Sequence, residues 1–314
     1  MALGLSPPVL PQLARSRAAL PEEDGWAFEP KWDGFRAVVF VDGDDVKIQS
    51  RNGKPLERYF PELKFPSGHY VLDGEIVIFG ADGSSPEFDT LGQRIHPAVS
   101  RIERLSVETP ATFVAFDLLE LEGEILMERP YSERRAALEA HVDKPLMLTP
   151  MVTTASEAET WLNTAEGVIA KELDAPYLPG ERKGMTKIKR VRTIDAVVVG
   201  WRPGKAEGTL GALILGLYDG DKLRVVGHSS GFSAKEKREL PGRLAEYASG
   251  ESGSGDPSRW SGGKDLSWVG LRPELVVEVT FDHVSDGRIR HGAKVARWRD
   301  DKPPKDCLVA QLDQ

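Results

Sequence analysis

A lysine held between a proline and a glycine is the residue best placed to do chemistry. In the segment E-P-K-W-D-G-F-R (29–36), Pro30 and Gly34 bracket Lys31 at a predicted corner between two strands. An uncharged lysine amine is a nucleophile, and neighbouring cations or a metal favour loss of its proton. A surface lysine beside a turn gives the same short pattern by chance, so this segment alone does not define a site.

Further short motifs follow the lysine in a fixed order. They are S-R-N-G at 50–53, D-G-E at 73–75, F-D-L-L at 116–119, E-G-V-I-A-K at 166–171, K-I-K at 187–189 and R-D-D-K at 299–302. This ordered set resembles the nucleotidyltransferase motifs of ATP-dependent DNA ligases, from about residue 8 to about residue 312. It is most similar to the compact bacterial ligases and to the ligase module of bacterial end-joining enzymes.

The resemblance implies that Lys31 attacks the α-phosphorus of ATP, forms a lysyl-AMP phosphoramidate and releases pyrophosphate. The amine must be uncharged to attack, and Lys187 and Lys189 would favour that form as like charges if they lie nearby. They would also neutralise charge on the α-phosphate in the transition state. Alternation along a strand places both lysines on one face, with Ile188 turned to the core. A lysine-rich edge strand that prevents aggregation is the alternative for this pair.

The resemblance also implies a metal and a base pocket. Glu166 matches a ligand of a divalent metal, and Glu75 matches a position near the ribose with a metal contact; both acids are predicted to lie on strands. Hard oxygen ligands indicate Mg²⁺ or Mn²⁺. Phe116 matches an aromatic residue that stacks on adenine, and Glu29 matches the acceptor for the adenine amino group. Asp33 is expected to orient the lysine loop.

Three basic positions and a basic tail complete the expected site. Arg36 and Arg51 match residues that read the ribose and the DNA 5′-phosphate, where a guanidinium fork fits. Lys171, at the end of its motif, is expected to reach nucleotide or DNA. Arg299 and Lys302 resemble a motif that the second domain closes over the β- and γ-phosphates of ATP.

The activity implied is the sealing of 3′-OH/5′-phosphate nicks in duplex DNA, through lysyl-AMP and a DNA-adenylate, in DNA repair. An RNA ligase or an mRNA capping guanylyltransferase shares the lysine motif and is the enzymatic alternative, but F-D-L-L and the R-D-D-K tail favour a DNA ligase. A non-catalytic DNA clamp is the alternative from another class, and the intact Lys31, Glu75 and Glu166 argue against it. The sequence has no P-loop, no Rossmann fingerprint and no zinc-hydrolase motif.

The elements that must position these residues predict an α+β protein of two domains. Residues 1–192 form an adenylation (nucleotidyltransferase) domain of antiparallel sheets with flanking helices, and residues 193–314 form a C-terminal OB-fold β-barrel. In the first domain, β-branched and aromatic runs predict strands, and helical periodicity with Ser132 and a Ser156–Glu159 capping box predicts helices. The strands are expected at 35–41, 46–50, 70–79, 112–119, 167–172 and 185–190, and the helices at 98–105, 132–141 and 156–164.

The sequence pattern of the second domain predicts a small Greek-key barrel. Four strands at 194–202, 210–218, 222–229 and 274–284, a helix at 233–248 and a short strand near Ile289 match the OB pattern. The Gly/Ser-rich stretch 249–258 is expected to be a flexible loop.

The charge distribution allows a DNA partner despite a net charge of −8. Residues 195–314 carry 18 basic and 18 acidic residues, so the acidic excess belongs to the preceding part of the chain. Two segments run against it: 181–192 has six basic residues to one acidic, and 288–305 has seven to two. Local basic stripes of this kind bind the phosphate backbone of a duplex.

Several sequence features bear on location and cofactor. Cys307 is the single cysteine, no apolar stretch reaches the length of a membrane helix, and the proline-containing N-terminus is not a signal peptide. We therefore expect a cytoplasmic protein with no membrane segment. Only 28 residues precede Glu29, so a helical DNA-binding domain and a nicotinamide-binding domain are not expected, which favours ATP over NAD. The expected partner is nicked double-stranded DNA, bound by a monomer, with repair proteins as further candidates.

Overall fold

The computed structural model describes residues 3–80, 83, 86–142, 145–190, 192–254, 267–285, 287–290 and 292–313. The chain divides into two compact units, Met1–Arg190 and Val191–Gln314. Each unit has its own apolar core, and each is described by itself. No helix in these described ranges is long and apolar enough to cross a membrane.

The first unit consists of two sheets with helices packed beside them. Its elements in chain order are β1 (Arg15–Ser16), β2 (Trp26–Pro30), β3 (Phe35–Gly43), β4 (Asp45–Ser50), β5 (Gly68–Val77), α1 (Phe88–Gly92), α2 (Val99–Glu108), β6 (Thr112–Leu121), β7 (Glu124–Ile125), α3 (Tyr131–His141), β8 (Met147–Leu148), α4 (Ala155–Thr164), β9 (Val168–Glu172) and β10 (Met185–Ile188). A 3₁₀ turn at Glu57–Tyr59 follows β4.

The larger sheet runs β4-β3-β5-β6-β7, with β8 beside β6, and both of its faces are covered. In β3, Val39 and Val41 pack into one buried cluster, whereas Val38 and Phe40 pack into another. Successive side chains of a strand point to opposite faces, so burial on both faces requires an unbroken apolar run. The predicted β3–β4 hairpin is confirmed.

The smaller sheet runs β1-β10-β9-β2 and places three distant segments side by side. Its antiparallel register sets Glu29 of β2 and Lys187 of β10 on either side of Ile169 of β9. Lys171 of β9 pairs in the same way with Met185. Directly paired residues share a face, so this register gathers these side chains on one side of the sheet.

The second unit consists of antiparallel strands around one apolar core. Its elements are β11 (Arg192–Pro203), β12 (Leu210–Asp219), β13 (Lys222–Ser229), α5 (Ala234–Ala245), β14 (Ala248–Ser254), β15 (Ser267–Leu271), β16 (Val276–Phe281), β17 (His283–Ser285), β18 (Arg288–Arg290) and β19 (Lys294–Trp298). The order is β13-β12-β11-β15-β14, and β16 pairs with both β11 and β19. This arrangement is consistent with an OB-fold, and the α+β fold class is confirmed.

The structure corrects several predicted elements. Residues 249–254 of the Gly/Ser-rich stretch are not a loop but part of strand β14, because their backbone pairs with β15; residues 255–258 lie outside the described ranges. The predicted strand 274–284 is divided into β16 and β17, and neither β15 nor β19 was predicted.

Two predicted helix caps were also wrong. Helix α4 begins one residue earlier than predicted, so Thr154 is its N-cap and accepts from the backbone N–H of Glu157. Helix α3 begins after Pro130 with no side-chain cap, so Ser132 does not cap it. The capping box of the chain's described helices lies at Ser233 and Glu236, where α5 begins.

Candidate active site between the two sheets of the first unit

The loop that carries Lys31 joins the two sheets and is tightly constrained. The backbone N–H of Lys31 donates to the carbonyl of Gly167 at 2.9 Å, and the Trp32 indole donates to the Thr149 hydroxyl at 2.9 Å. A Cβ at Gly34 would lie 2.2 Å from the carbonyl oxygen of Ile76. Only glycine allows this approach of two backbones, so the predicted corner holds Lys31 on a rigid support.

Glu166 is the ionic partner of two lysines in the site. Lys31 Nζ contacts one of its oxygens, and Lys189 Nζ lies 2.6 Å from the other. Burial alone would raise the pKa of Glu166, but Lys31 and Lys189 outweigh it and hold this pKa below its usual range. Lys31 therefore rests in an ion pair in this structure.

The structure corrects the predicted settings of Glu166 and Lys189. Glu166 lies just before β9 rather than on a strand, and β10 ends at Ile188, so Lys189 lies beyond the strand. Gly167 explains this geometry, because its backbone passes so close to Ile188 that a Cβ would lie 2.2 Å from that carbonyl oxygen. Glu166 is thereby brought to the end of β10, next to Lys187 and Lys189.

Lys187 stays on the strand, with Ile188 buried as predicted. Burial lowers the pKa of Lys187, and the positive charges of Lys31, Lys189 and Arg182 lower it further. Lys31, Lys187 and Lys189 thus form one group of neighbouring cations.

A cavity of about 190 Å³ opens beside Lys31 between the two sheets. The smaller sheet supplies one wall, and the larger sheet supplies the other. The predicted site residues that line it are Glu29, Lys31, Arg36, Arg51, Glu75, Phe116, Lys171 and Lys187. The structure thus brings together residues spread over more than 150 positions of sequence.

Phe116 enters this cavity because of an irregularity in the larger sheet. Asp73 pairs with Asp117 and Gly74 with Ala115, which leaves Phe116 as the extra residue of a bulge. Phe113 lies in the core, whereas the Phe116 ring lies under two cations, at 4.4 Å from Arg36 and 4.9 Å from Lys171.

Arg36 is fixed by a buried carboxylate. Its Nε and Nη2 each lie 2.6 Å from an oxygen of Asp73, which also accepts from the Tyr177 hydroxyl at 2.6 Å. Burial opposes the charged guanidinium, but Asp73 outweighs it and raises the pKa of Arg36. Arg51 is exposed and lies at the mouth of the cavity.

Glu75 and Asp33 border a second, more open cavity of about 440 Å³, which also touches Lys31 and Arg51. Burial raises the pKa of Glu75 to about 7, although Arg36 and Lys31 partly offset it. A further cation nearby would stabilise the charged form of such a buried carboxylate. Within the described ranges no group of three or more His, Cys, Asp or Glu side chains could hold a metal ion. A metal here would therefore share its coordination with phosphate oxygens and water, as Mg²⁺ commonly does.

Lys171 is more buried than the sequence suggested, with 5% of its surface exposed. Its ammonium lies 2.9 Å from an oxygen of Glu29 and donates to the Phe116 carbonyl at 2.8 Å. Lys171 thus connects the two walls of the cavity.

Arg299 and Lys302 belong to the second unit and are described within it. Arg299 Nη1 lies 2.9 Å from Asp195, and Nε and Nη2 lie 2.8 and 2.9 Å from the two oxygens of Asp301. The hydrogen bonds from Arg299 lower the pKa of Asp301 to about 2.

Sequence reasoning missed part of the lining, namely Gln12, Trp32, Ile169, Arg182 and Met185. Arg182 and Met185 lie within the basic segment 181–192, and the positive charge of that segment is the sequence signal that could have identified them. Gln12 had no such signal: it is buried, and its side chain donates to the Lys183 carbonyl at 2.6 Å.

Comparisons with known proteins agree with this geometry. The ATP dependent DNA ligase domain family matches residues 8–189, and the ATP dependent DNA ligase C terminal region matches residues 206–302. The chain belongs to the ATP-dependent DNA ligase family.

Three relatives illustrate the similarity. DNA ligase C1 of Mycolicibacterium smegmatis is 44% identical over 335 residues, covering 100% of this chain and 96% of that protein. The multifunctional non-homologous end joining protein LigD of the same species is 33% identical over 294 residues, 89% of this chain and 36% of that protein. The crystal structure of the ligase domain of M. tuberculosis LigD superposes with a TM-score of 0.54 at 29% identity, covering 96% of this chain and 98% of that one. The family match and these relatives confirm the activity predicted from the sequence, ATP-dependent DNA ligation.

Proposed function

We propose that the first unit forms a covalent lysyl-AMP on Lys31 and that the chain uses it to seal 3′-OH/5′-phosphate nicks in duplex DNA. The observation that carries the proposal is the position of Lys31. It lies beside a cavity lined by an aromatic ring, two carboxylates and several cations, which is the lining that a nucleoside triphosphate needs.

In the first step the Lys31 ammonium leaves its ion pair with Glu166 and gives its proton to solvent, and the resulting amine attacks the α-phosphorus of ATP. An N–P bond forms, and the P–O bond to pyrophosphate breaks. Lys187 and Lys189 neutralise charge that develops on the phosphate. Phe116 provides an apolar surface for the adenine, and Glu29 an acceptor for its amino group. Arg36 is expected to contact the ribose, and Asp33 to orient the loop.

In the second step an oxygen of the DNA 5′-phosphate attacks the phosphorus of AMP, and the N–P bond breaks, which returns the Lys31 amine. In the third step the 3′-OH attacks the 5′-phosphorus and AMP leaves. Arg51 is exposed at the junction of the two cavities, which suits a contact with the 5′-phosphate. Arg299 and Lys302 are expected to contact the leaving pyrophosphate of the first step.

Glu166 and Glu75 are the carboxylates that would hold Mg²⁺ or Mn²⁺, which when bound neutralises negative charge on the phosphates. Their oxygens are the hard ligands that these cations prefer, and a bound cation would favour the charged form of Glu75, whose pKa is raised by burial.

A role in DNA repair follows from this activity, and the similarity to LigD of M. smegmatis favours end joining. We propose that the chain acts in the cytoplasm as a monomer that can be recruited by repair proteins.

Labelling with nucleotide tests the proposal. The protein is incubated with α-labelled ATP or GTP and Mg²⁺, and nicked DNA is then added. We expect a labelled protein band with ATP that disappears in Lys31→Ala, and transfer of the label to DNA before sealing. A band with GTP alone would point instead to capping chemistry, and no band with either nucleotide would contradict the enzyme proposal.

A further inference from the structure

Three buried donors converge on the carboxylate of Glu29, which is 2% exposed. The Tyr131 hydroxyl donates to Oε1, and Arg135 Nη1 lies 3.5 Å from the same oxygen. Lys171 Nζ lies 3.1 Å from Oε1 and 2.9 Å from Oε2. Glu29 is therefore held by two cations and a phenol, none of which is near it in sequence.

Two of these donors come from one face of helix α3. Tyr131 and Arg135 are four residues apart, so their side chains lie one above the other. The helix is anchored to the site, because Arg135 Nη2 donates at 2.9 Å to the carbonyl of Thr149, whose hydroxyl accepts from Trp32. Tyr131 is 1% exposed, and burial together with the charge of Glu29 raises its pKa. Its phenol stays a hydrogen-bond donor at neutral pH.

The two oxygens of Glu29 are used unequally. Oε1 receives Tyr131, Arg135 and Lys171, whereas Oε2 receives Lys171 alone among the described residues. A carboxylate has about four acceptor sites, so Oε2 retains capacity for a further N–H donor. Glu29 lines the cavity beside Lys31, so a ligand bound in that cavity can supply the further donor.

We infer that Tyr131 and Arg135 are positioning residues that saturate one oxygen of Glu29 and leave the other to accept from the 6-amino group of adenine. They thereby set the preference of the site for a 6-amino purine over a 6-oxo purine. This inference rests on the proposed function. The 6-oxygen of a 6-oxo purine is an acceptor and would face Oε2 of Glu29, which is also an acceptor. A purine without a 6-substituent would leave Oε2 without this hydrogen bond.

The test compares nucleotides within each variant. The rate of lysyl-nucleotide formation, as kcat/KM, is measured with ATP, with ITP and with purine riboside triphosphate, which has hydrogen at position 6. For the wild type we expect ATP to exceed purine riboside triphosphate about 10- to 100-fold, the range of a hydrogen bond to a charged group. Tyr131→Phe keeps the ring and removes the hydroxyl. It should reduce that preference about 3- to 10-fold, while the rate with purine riboside triphosphate changes less than about 2-fold.

Matched variants separate positioning from a general loss of structure. Tyr177→Phe removes another buried phenol that donates to a carboxylate, Asp73 rather than Glu29, and it should retain the wild-type preference. Arg135→Lys keeps a positive charge but loses the fork that spans Glu29 and Thr149, so it should reduce the preference as Tyr131→Phe does. Each variant is assayed at the same interval below its own melting temperature.

The outcomes distinguish the inference from the function on which it rests. No adenylylation of the wild type by ATP would overturn the proposed function itself. Normal adenylylation of the wild type, with equal losses for ATP and purine riboside triphosphate in Tyr131→Phe and Arg135→Lys, would overturn the inference and leave these residues a structural role.

Discussion

Asp73 binds Arg36 through both carboxylate oxygens, with two N–O distances of 2.6 Å. Asp73 is fully buried, whereas the Arg36 side chain reaches the cavity beside Lys31 and lies 4.4 Å from the Phe116 ring. The pair therefore connects the interior of the larger sheet to the candidate nucleotide site. A fork-to-fork ion pair fixes direction as well as charge.

Asp73→Asn should weaken both the fold and the site. It removes one charge of a buried pair and leaves the Arg36 guanidinium without its hydrogen-bonded counter-ion, at a cost of about 3–5 kcal/mol in the free energy of unfolding. The measurement is urea unfolding together with the KM for ATP, which should rise. As a control, Asp42→Asn alters an exposed pair with His69 and should change stability by less than about 1 kcal/mol. Equal effects of the two substitutions would contradict the importance given to the Asp73–Arg36 pair.

Gly34→Ala should disrupt the lysine loop. The new Cβ would lie 2.2 Å from the Ile76 carbonyl oxygen, so β3 or β5 must move, at a cost of about 2–4 kcal/mol. Lysyl-AMP formation should fall more steeply than stability because Lys31 is displaced. Gly92→Ala is the control, since nothing lies within 4 Å of its Cβ, and it should be neutral or stabilising by up to about 1 kcal/mol. Full adenylylation by Gly34→Ala would show that the loop does not need this close approach.

The chemistry-bearing motifs of this fold could be predicted from sequence, because each consists of residues that are close along the chain. The hairpin of β3 and β4 follows from strand periodicity. The ion pair of Lys31 with Glu166 was not predicted, because motif order does not specify contacts between residues 135 positions apart. The donors to Glu29 could not be predicted: Tyr131 is 102 positions away, and a tyrosine at the start of a helix is an ordinary core residue. Strand β14 was missed for a related reason, since a Gly/Ser-rich strand is specified by its partner β15 rather than by its own side chains.

Lys187→Met should separate activity from stability. Burial and three neighbouring cations lower the pKa of Lys187, so its charge is unfavourable in the folded state. Removal of that charge should leave the melting temperature unchanged or higher. Lysyl-AMP formation should fall about 100- to 1,000-fold because charge on the α-phosphate is no longer neutralised. Lys183→Met, at an exposed residue paired with Glu181, is the control and should leave the melting temperature and the rate near those of the wild type. A lower melting temperature for Lys187→Met would show that its charge is favourable in the fold.

Glu75 should make the stability of the protein depend on pH between about 4.5 and 7. Its pKa is raised in the folded state, so over this range the folded protein binds more protons than the unfolded chain, and stability falls as pH increases. Glu75→Gln removes this titration. The stability of Glu75→Gln relative to wild type should therefore increase by about 3 kcal/mol from pH 4.5 to pH 8. The measurement is urea unfolding in EDTA at several pH values, and a difference that does not change with pH would contradict the raised pKa.

Arg299 offers a way to separate the first chemical step from the last. In the second unit its guanidinium is shared among Asp195, Glu278 and Asp301, and the Asp301 side chain is 70% exposed. A phosphate oxygen could replace Asp301 with little loss, since exposed ion pairs contribute little free energy. Arg299→Lys keeps the charge and loses the fork, so lysyl-AMP formation should fall about 10- to 100-fold while sealing of a nick that already carries 5′-AMP stays within about 3-fold. Arg272→Lys, at an exposed pair with Glu274 in the same unit, should alter neither step. An equal loss in both steps would place Arg299 in DNA binding or folding instead of in the reaction with ATP.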